Sequence, residues 1–343
     1  MFTEIASTDN SSLPWFLGAL NLPHRLIQGP LAGFSCSPMR ALFYRYTPPA
    51  YCVSEMISAH DVIYKHSGKN RYLHRAPDEN KLCYQLSGND GDLMAKAAKK
   101  LEILGADLID INCGCPKAKI RKRGAGSALL ETPDHLVRIV EKVRDALQCP
   151  LTVKIRLQNT DSDLALVQAL EKTGIDALIV HGRRWQDDYD VACNWQAIRL
   201  IKEAVKIPVI ANGDICERNS LAAALAATGC DAFMISRAGT GKPWLYQHLL
   251  SPNGFDVALE ERIELFLRHL EELSWLENEF QAVLQSKSLI RYYFRELGSV
   301  QLQTYYSLNS LTSIKEYMTR MNKRLTPSSA DYVLHPHSTP GPL

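Results

Sequence analysis

At 343 residues the chain is long enough for one large domain and a smaller one, and its 46% apolar and 22% charged residues are ordinary for a globular protein. A formal net charge of +2 excludes a uniformly basic coat for nucleic acid, so any surface for a polyanion must be local. Nine cysteines scattered without a disulfide-like frame read as a reducing cytoplasm. No apolar run approaches the ~18 residues of a membrane span, and the opening MFTEIASTDNSS lacks the pattern of a secretion signal.

Residues 1–24 read as an extension. Short apolar runs then recur: RLIQGPLAG near 25, AYCVSEM near 50, LCYQLSG near 82, ADLIDINCG near 106, LTVKIRL at 151, DALIVHG near 176, PVIANGD at 208 and DAFMISRAG at 231. Each is too short for a buried helix and ends in polar or turn residues, which predicts strands. Helix-like segments separate the later ones, among them TPDHLVRIVEKVRDALQ, where Thr132 suits an N-cap and Pro133 the first helical position. Strands alternating with helices give βαβ units and a parallel sheet. Eight such units over residues 25–250 predict an α/β fold, a (β/α)8 TIM barrel, in preference to an open doubly wound sheet. Pro252-Asn253-Gly254 marks a break. Residues 255–330 show helical spacing without strand-like runs, predicting a smaller all-helical domain, and residues 331–343 read as a flexible tail.

Barrel chemistry sits at the C-terminal strand ends. Those ends carry Pro30-Leu31-Ala32, Ser54-Glu55, Gln85, Asn112 with Cys113 and Cys115, Lys154 with Arg156, His181 with Arg183, Asn212-Gly213-Asp214, and Ser236-Arg237. Polarity at a water-facing end explains one or two of these, not a ring of amide, lysine and histidine.

The stretch DINCGCPKAKIRKRGAG, from Asp110 to Gly126, places Lys117, Lys119, Arg121, Lys122 and Arg123 directly after Cys115. A metal site, a nucleophile and a proton donor compete to explain it. Structural zinc calls for a second cysteine pair, and Cys83, Cys149, Cys193, Cys216 and Cys230 are solitary. Cys113 falls inside the apolar run and suits packing. Cys115, between Gly114 and Pro116, can face the rim, where neighbouring cations could activate it, although no histidine adjoins it in sequence. GTGKP is no phosphate loop, because Pro243 stands where a serine or threonine should follow. Strands seven and eight end where such barrels bind phosphate, and Gly213 and Arg237 suit an anion. With Gln85, Lys154 and His181 on the same rim, the set matches the needs of a phosphorylated flavin.

INCGCP followed by GAGSALL, VKIR, VHGR, VIANGDI and DAFMISRA resembles the tRNA-dihydrouridine synthases in order and spacing, over roughly residues 25–330. The resemblance implies FMN in the barrel mouth, NADPH (or NADH) as reductant and a tRNA uridine, in the D-loop, as substrate. It implies that Pro30, Leu31 and Ala32 line the flavin, with Gln85 and Lys154 at its polar edge and His181 near the ring or phosphate. Asn212, Gly213, Asp214, Ser236 and Arg237 would hold the phosphate. Cys115 would give a proton to C5 after hydride reaches C6 from the reduced flavin, and Asn112 would help place the base. Arg156, the basic residues from Lys117 to Arg123, and Lys287 and Arg291 are expected to meet the RNA. Aiming those loop cations at phosphates also keeps them from the sulfur, which must stay a thiol to act as an acid. Residues 281–330 hold seven cations against two carboxylates. Leu31 stands where the family often has methionine, and Ser236 where glycine is frequent. A flavin barrel acting on a free pyrimidine, or a tRNA-binding barrel without catalysis, is the rival reading. A monomer without metal is expected.

Overall fold

The computed structural model describes residues 10–66, 70–158 and 160–325. A hairpin, β1 (Trp15–Leu17) and β2 (Leu20–Leu22), precedes eight parallel strands. These are β3 (Leu26–Gln28), β4 (Cys52–Ser58), β5 (Leu82–Ser87), β6 (Leu108–Cys113), β7 (Leu151–Leu157), β8 (Ala177–Arg184), β9 (Val209–Asn212) and β10 (Ala232–Ile235). They close into a barrel in the order β10-β3-β4-β5-β6-β7-β8-β9, so each predicted run is a barrel strand. Helices α1 (Ser37–Leu42), α2 (Ala59–Tyr64), α3 (Gly91–Ile103), α4 (Ala118–Arg121), α5 (Pro133–Ala146), α6 (Thr160–Lys172), α7 (Trp195–Ala204), α8 (Arg218–Thr228) and α9 (Leu245–Leu250) fall between and after the strands. Pro133 does open α5. Thr132 precedes it without capping, because its hydroxyl turns back to the carbonyl of Leu129, 3.4 Å away.

Strand alternation divides the barrel residues into two apolar sets. Leu26, Cys52, Tyr84, Ile109, Val153, Leu178, Val209 and Phe233 pack among the helices. Residues of the opposite parity, including Ile27, Val53, Cys83, Leu108, Ile179, Ile210 and Met234, form a separate buried cluster. The hairpin belongs to this second cluster through Trp15, Leu17 and Leu22, and the indole N–H of Trp15 donates to the carbonyl of His24 at 3.0 Å. Residues 15–22 therefore plug the N-terminal end of the barrel, which gives part of the apparent extension a packing role. One turn higher the same parity becomes polar, with Gln85, Asp110 and Thr152, then Asn112, Lys154, Arg156, His181 and Asn212. The barrel is thus sealed and apolar below, polar above.

The described residues divide into two compact units between Asp256 and Val257. The second contains α10 (Leu259–Leu276), α11 (Glu279–Tyr293), α12 (Ser299–Tyr306) and α13 (Leu311–Leu325). Its core is aromatic: Phe266 meets Phe294 edge-on at 5.5 Å and Tyr293 at 5.2 Å, and the Nδ1 of His269 lies 3.1 Å from the Tyr293 hydroxyl. The tail predicted over 331–343 lies outside the described residues.

Candidate active site

The chemistry-bearing strand ends meet in one mouth, and its two sides differ in kind. On the β5–β6 side lies a continuous hydrogen-bonded chain. The Thr152 hydroxyl donates to Asp110 Oδ1 at 2.6 Å, and Gln85 Nε2 donates to Asp110 Oδ2 at 2.8 Å. Asn112 Nδ2 donates to Gln85 Oε1 at 2.8 Å. The Asn112 Oδ1 then accepts from the backbone N–H groups of Gly114 (3.3 Å) and Cys115 (3.0 Å). Asp110, Gln85 and Thr152 have no exposed surface. Burial pushes the Asp110 carboxyl upward, while bonds from Thr152 and Gln85 oppose it. Asn112, expected at the base, and Gln85, expected at the flavin edge, are thus first of all the supports of the Cys115 loop.

Cys115 itself is partly exposed, whereas Cys113 is fully buried, as the spacing predicts. The Cys115 carbonyl accepts from the backbone N–H of Ser127 at 3.1 Å and from its hydroxyl at 3.0 Å. Gly126 lets the chain pass so close. Its φ is +63°, and a Cβ there would stand 2.8 Å from that carbonyl oxygen and 3.1 Å from the Cβ of Cys115.

From β7 onward, starting beside Asn112 itself, the groups are cationic and largely unanswered: Lys154 is the register partner of Asn112, and Arg156 Cγ lies 3.4 Å from a Cβ placed on Gly114. Lys154, on β7, is buried and makes no hydrogen bond or ion pair among the described residues; burial lowers its pKa, Asp110 raises it and Arg156 lowers it again. Arg156 donates to the carbonyl of Arg184 at 2.8 Å and has no carboxylate partner among the described residues. His181 is buried, and its pKa is pushed down to about 2, first by burial and then by Lys154, Arg156, Arg183 and Arg237. It is a neutral imidazole among four cations. Exposed Arg237 lies with its guanidinium carbon 4.1 Å from the ring centre of Tyr189.

Asn212, Gly213 and Asp214 turn sharply. Asn212 donates to the carbonyl of Met234 at 2.8 Å, and Gly213 (φ +127°) packs on Cys193, whose Sγ would be 2.7 Å from a Cβ placed there. Asp214, at φ +53°, accepts two bonds from Arg183 (2.7 and 2.9 Å) and one from the backbone of Cys193 (2.8 Å). The Asp214 carboxylate is spent on Arg183 and Cys193, so what the expected phosphate-holding turn has to offer is its backbone. Arg183 also donates to the carbonyls of Val191 and Tyr189, yet its Nη1 is buried without a partner. On the β10 side, Ser236 is half-buried near Gly29. On β3's exit loop, Pro30 and Leu31 are half-buried and Ala32 exposed; Glu55 holds the loop by accepting from Gly33 N–H at 2.8 Å and from Arg71 at 2.6 Å.

The loop cations separate into two groups. Lys117, Lys119, Lys122 and Arg123 are exposed and make no ion pair among the described residues. Arg121, expected at RNA phosphates with them, is instead tied inward to Ser127, Glu131 and Trp185. In the second unit Lys287 donates to the Tyr306 carbonyl at 2.9 Å and Arg291 to the Tyr306 hydroxyl at 2.7 Å. Arg291 and Arg295 line a cavity of about 680 Å³ with Phe294, Leu302, Gln303 and Tyr306. The side chains of Lys323 and Arg324 lie outside the described residues. Sequence reasoning missed Asp110, Ser127 and Trp185. Asp110 shares parity with Asn112, a signal that was available; the other two are brought to the site only by folding.

Among the described residues no group of three or more His, Cys, Asp and Glu side chains is placed to hold a metal ion, and no helix is long and apolar enough to cross a membrane.

Comparison with known proteins gives the site its context. The chain is 35% identical over 289 residues to tRNA-dihydrouridine synthase B of Vibrio vulnificus, covering 82% of this chain and 89% of that protein. It is 37% identical over 266 residues to the protein of the same name from Pectobacterium carotovorum, covering 75% and 82%. A probable tRNA-dihydrouridine synthase 1 of Synechocystis is 34% identical, covering 89% and 88%. The barrel is also similar to an old yellow enzyme homologue from Zymomonas mobilis (TM-score 0.52, 14% identity, 74% of this chain and 96% of that one) and to morphinone reductase in complex with tetrahydroNAD (TM-score 0.51, 13% identity, 72% and 93%), a likeness of fold. The family model described as dihydrouridine synthase (Dus) matches residues 27–323, and the chain belongs to that family.

Proposed function

We propose that this protein reduces a D-loop uridine of tRNA to 5,6-dihydrouridine, with FMN held in the barrel mouth, NADPH or NADH as reductant and Cys115 as proton donor. As a member of the dihydrouridine synthase family it is an oxidoreductase that forms dihydrouridine in tRNA. The finer reading rests on one observation above all: Lys154, Arg156 and Arg237 all act on neutral His181, none of the three has an ion pair among the described residues, and they share the mouth with a thiol whose backbone is held on both sides.

Such a mouth fits a flavin phosphate. Buried cations without counter-ions are costly unless an anion joins them. The orphaned Nη1 of Arg183 points to the same need. Arg237, the Ser236 hydroxyl and the Asn212–Asp214 turn would hold the phosphate, and the backbone of Pro30, Leu31 and Ala32 would line the ring. Lys154 would stand at the polar edge, and Gln85 keeps one uncommitted N–H for it. The chemistry such a group supplies when bound is hydride delivery to C6 of the pyrimidine.

The chain's own residues supply the rest. Cys115 gives its proton to C5, and the two fixed peptide groups around it hold in place the Cα from which the thiol projects. Asn112, with its remaining N–H, faces the base from beneath that loop. Neutral His181 can donate one hydrogen bond and accept another, and it adds no charge to the cation cluster. Withdrawing a uridine from folded RNA costs a few kcal/mol, which phosphate contacts by Lys117, Lys119, Lys122 and Arg123, and by Arg291 in the helical unit, offset.

The test begins with the visible spectrum of the purified protein before and after anaerobic NADPH. Flavin bands that bleach support the cofactor reading, and a colourless protein that cannot be loaded with FMN overturns it. Incubation with unmodified tRNA, against a free pyrimidine, then decides the substrate. Reduction of the free pyrimidine alone would move the function to a small molecule.

A further inference from the structure

Arg121 was expected to serve as one more phosphate contact, and the structure places it elsewhere. Its Nη1 donates to the Ser127 hydroxyl at 2.9 Å and its Nη2 to Glu131 Oε1 at 2.5 Å. Its guanidinium carbon stands 3.6 Å from the ring centre of Trp185, the first residue beyond β8. The side chain is only 16% exposed, with its charge met by Glu131 and one face covered by indole. A guanidinium so occupied has little left for a passing phosphate.

What it does hold is the serine. Arginine has no acceptor, so the Ser127 oxygen must accept from it, and the one hydroxyl proton is left to be given to the Cys115 carbonyl, 3.0 Å away. Without the guanidinium the hydroxyl is free to rotate to water. The Cys115 peptide is therefore fixed from two directions. Its N–H side rests on Asn112 and the chain down to Asp110, and its carbonyl side rests on Ser127, Arg121 and Trp185. The second support crosses β7 and joins the loop after β6 to the loop after β8.

We propose that Arg121 is a positioning residue for the proton donor: stacked on Trp185 and paired with Glu131, it orients the Ser127 hydroxyl that holds the Cys115 carbonyl, and so sets where the thiol points. The proposal rests on the reading of Cys115 as the acid. Arg121→Lys keeps the charge but loses the planar fork and the stack; Trp185→Leu removes the platform alone.

The experiment uses the full flavin-loaded chain and three readouts: tRNA affinity with its salt dependence, the single-turnover rate at which tRNA oxidises the pre-reduced enzyme, and the rate of iodoacetamide labelling at Cys115 mapped by mass spectrometry. Arg121→Ala is expected to slow the single turnover by about 10–100-fold, the scale of a misplaced reacting group, while tRNA affinity changes less than about twofold. Cys115 labelling is expected to speed up several-fold as the loop loosens, an order-of-magnitude expectation from lost preorganisation. Arg121→Lys and Trp185→Leu should move the turnover and labelling rates in the same direction by less, and they keep the test open should the alanine variant fail to fold. Weaker tRNA binding with a salt slope reduced by about one, at an unchanged saturated rate, would make Arg121 a phosphate contact and overturn the proposal. Unchanged turnover and labelling in all three variants would overturn it equally. Cys115→Ala separates the two readings: full activity there removes Cys115 as the acid, while labelling of Cys115 in the Arg121 variants still decides whether the clamp holds the loop.

Discussion

Beneath Cys115 each polar group of the supporting chain has found a partner, from the Thr152 hydroxyl through Asp110, Gln85 and Asn112 to the loop backbone. Farther round the rim, starting on the same β7 that carries Thr152, Lys154 has none among the described residues, Arg156 and Arg237 have no carboxylate partner there, and Nη1 of Arg183 is orphaned. Lys154, Arg156 and Arg183 are buried like Asp110, Gln85 and Thr152, so solvent explains the contrast only for exposed Arg237. A satisfied network is finished on folding and serves to hold geometry. A cluster of unpaired buried cations is costly on its own, and an anion joining it would offset that cost.

The largest expected effect tests what the finished side positions. Cys115→Ala should lower the rate of tRNA reduction by about 10²–10⁴-fold, the range of a lost general acid, while flavin content and bleaching by NADPH stay at wild-type level. Gln85→Leu comes next. It strands Asp110 Oδ2 and Asn112 Nδ2 together, at about 1–3 kcal/mol for each unpaired group, so melting should come at lower temperature whether or not flavin is present. Lys154→Met should separate the halves by sign. It removes a buried cation that has no hydrogen bond or ion pair and is opposed mainly by its own burial, with only the pull of Asp110 in its favour, so the flavin-free protein should melt no lower than wild type, whereas flavin affinity should fall about 10–100-fold, as for a hydrogen bond to a charged group. If Lys154→Met instead destabilised the flavin-free protein as Gln85→Leu does, the contrast between the halves would be lost.

Much of this was legible before folding, because period-two alternation and turn residues are local signals. Eight apolar runs with polar ends place Gln85, Asn112, Lys154, His181 and Asn212 on one rim, and the same reading separates buried Cys113 from Cys115. Two kinds of feature were not legible. Trp15, Leu17 and Leu22 are three apolar residues in a short hairpin, too few to show a period, and their place beneath the barrel depends on closure of strands as distant as β10. The other kind concerns partners. Nothing in a run of five cations says that Lys117 and Lys119 stay in solvent while Arg121 turns inward. That depends on Glu131 and Trp185, the second of which is 64 positions away along the chain and reaches Arg121 only because β6, β7 and β8 lie side by side. The carboxylate of Asp214 was illegible for the same reason, since nothing local says that Arg183 holds it.

His181 gives the smallest and most graded test of the unfinished side. Its pKa of about 2 in the folded protein lies below the ordinary 6.5, so the folded state refuses a proton that the unfolded chain accepts. Above pH ~6.5 both states are neutral and the contribution to stability is complete. As pH falls below that value the unfolded chain gains the proton alone, and stability drops by about 1.4 kcal/mol per pH unit from this residue. Asp110, whose pKa is raised, titrates with the opposite sign, so wild type by itself is no test. The difference between wild type and His181→Gln removes that background, because both retain Asp110. Denaturant unfolding of the flavin-free pair between pH ~4 and ~6 should show wild type losing ground to the variant at close to the full slope. Parallel curves would mean that His181 titrates freely and that no cation cluster surrounds it. With an anionic ligand bound among Lys154, Arg156 and Arg237, the imidazole gains a negative neighbour and its pKa must rise. The slope should then flatten in the flavin-loaded pair, and the amount of flattening measures how much of the cluster the ligand's charge has answered.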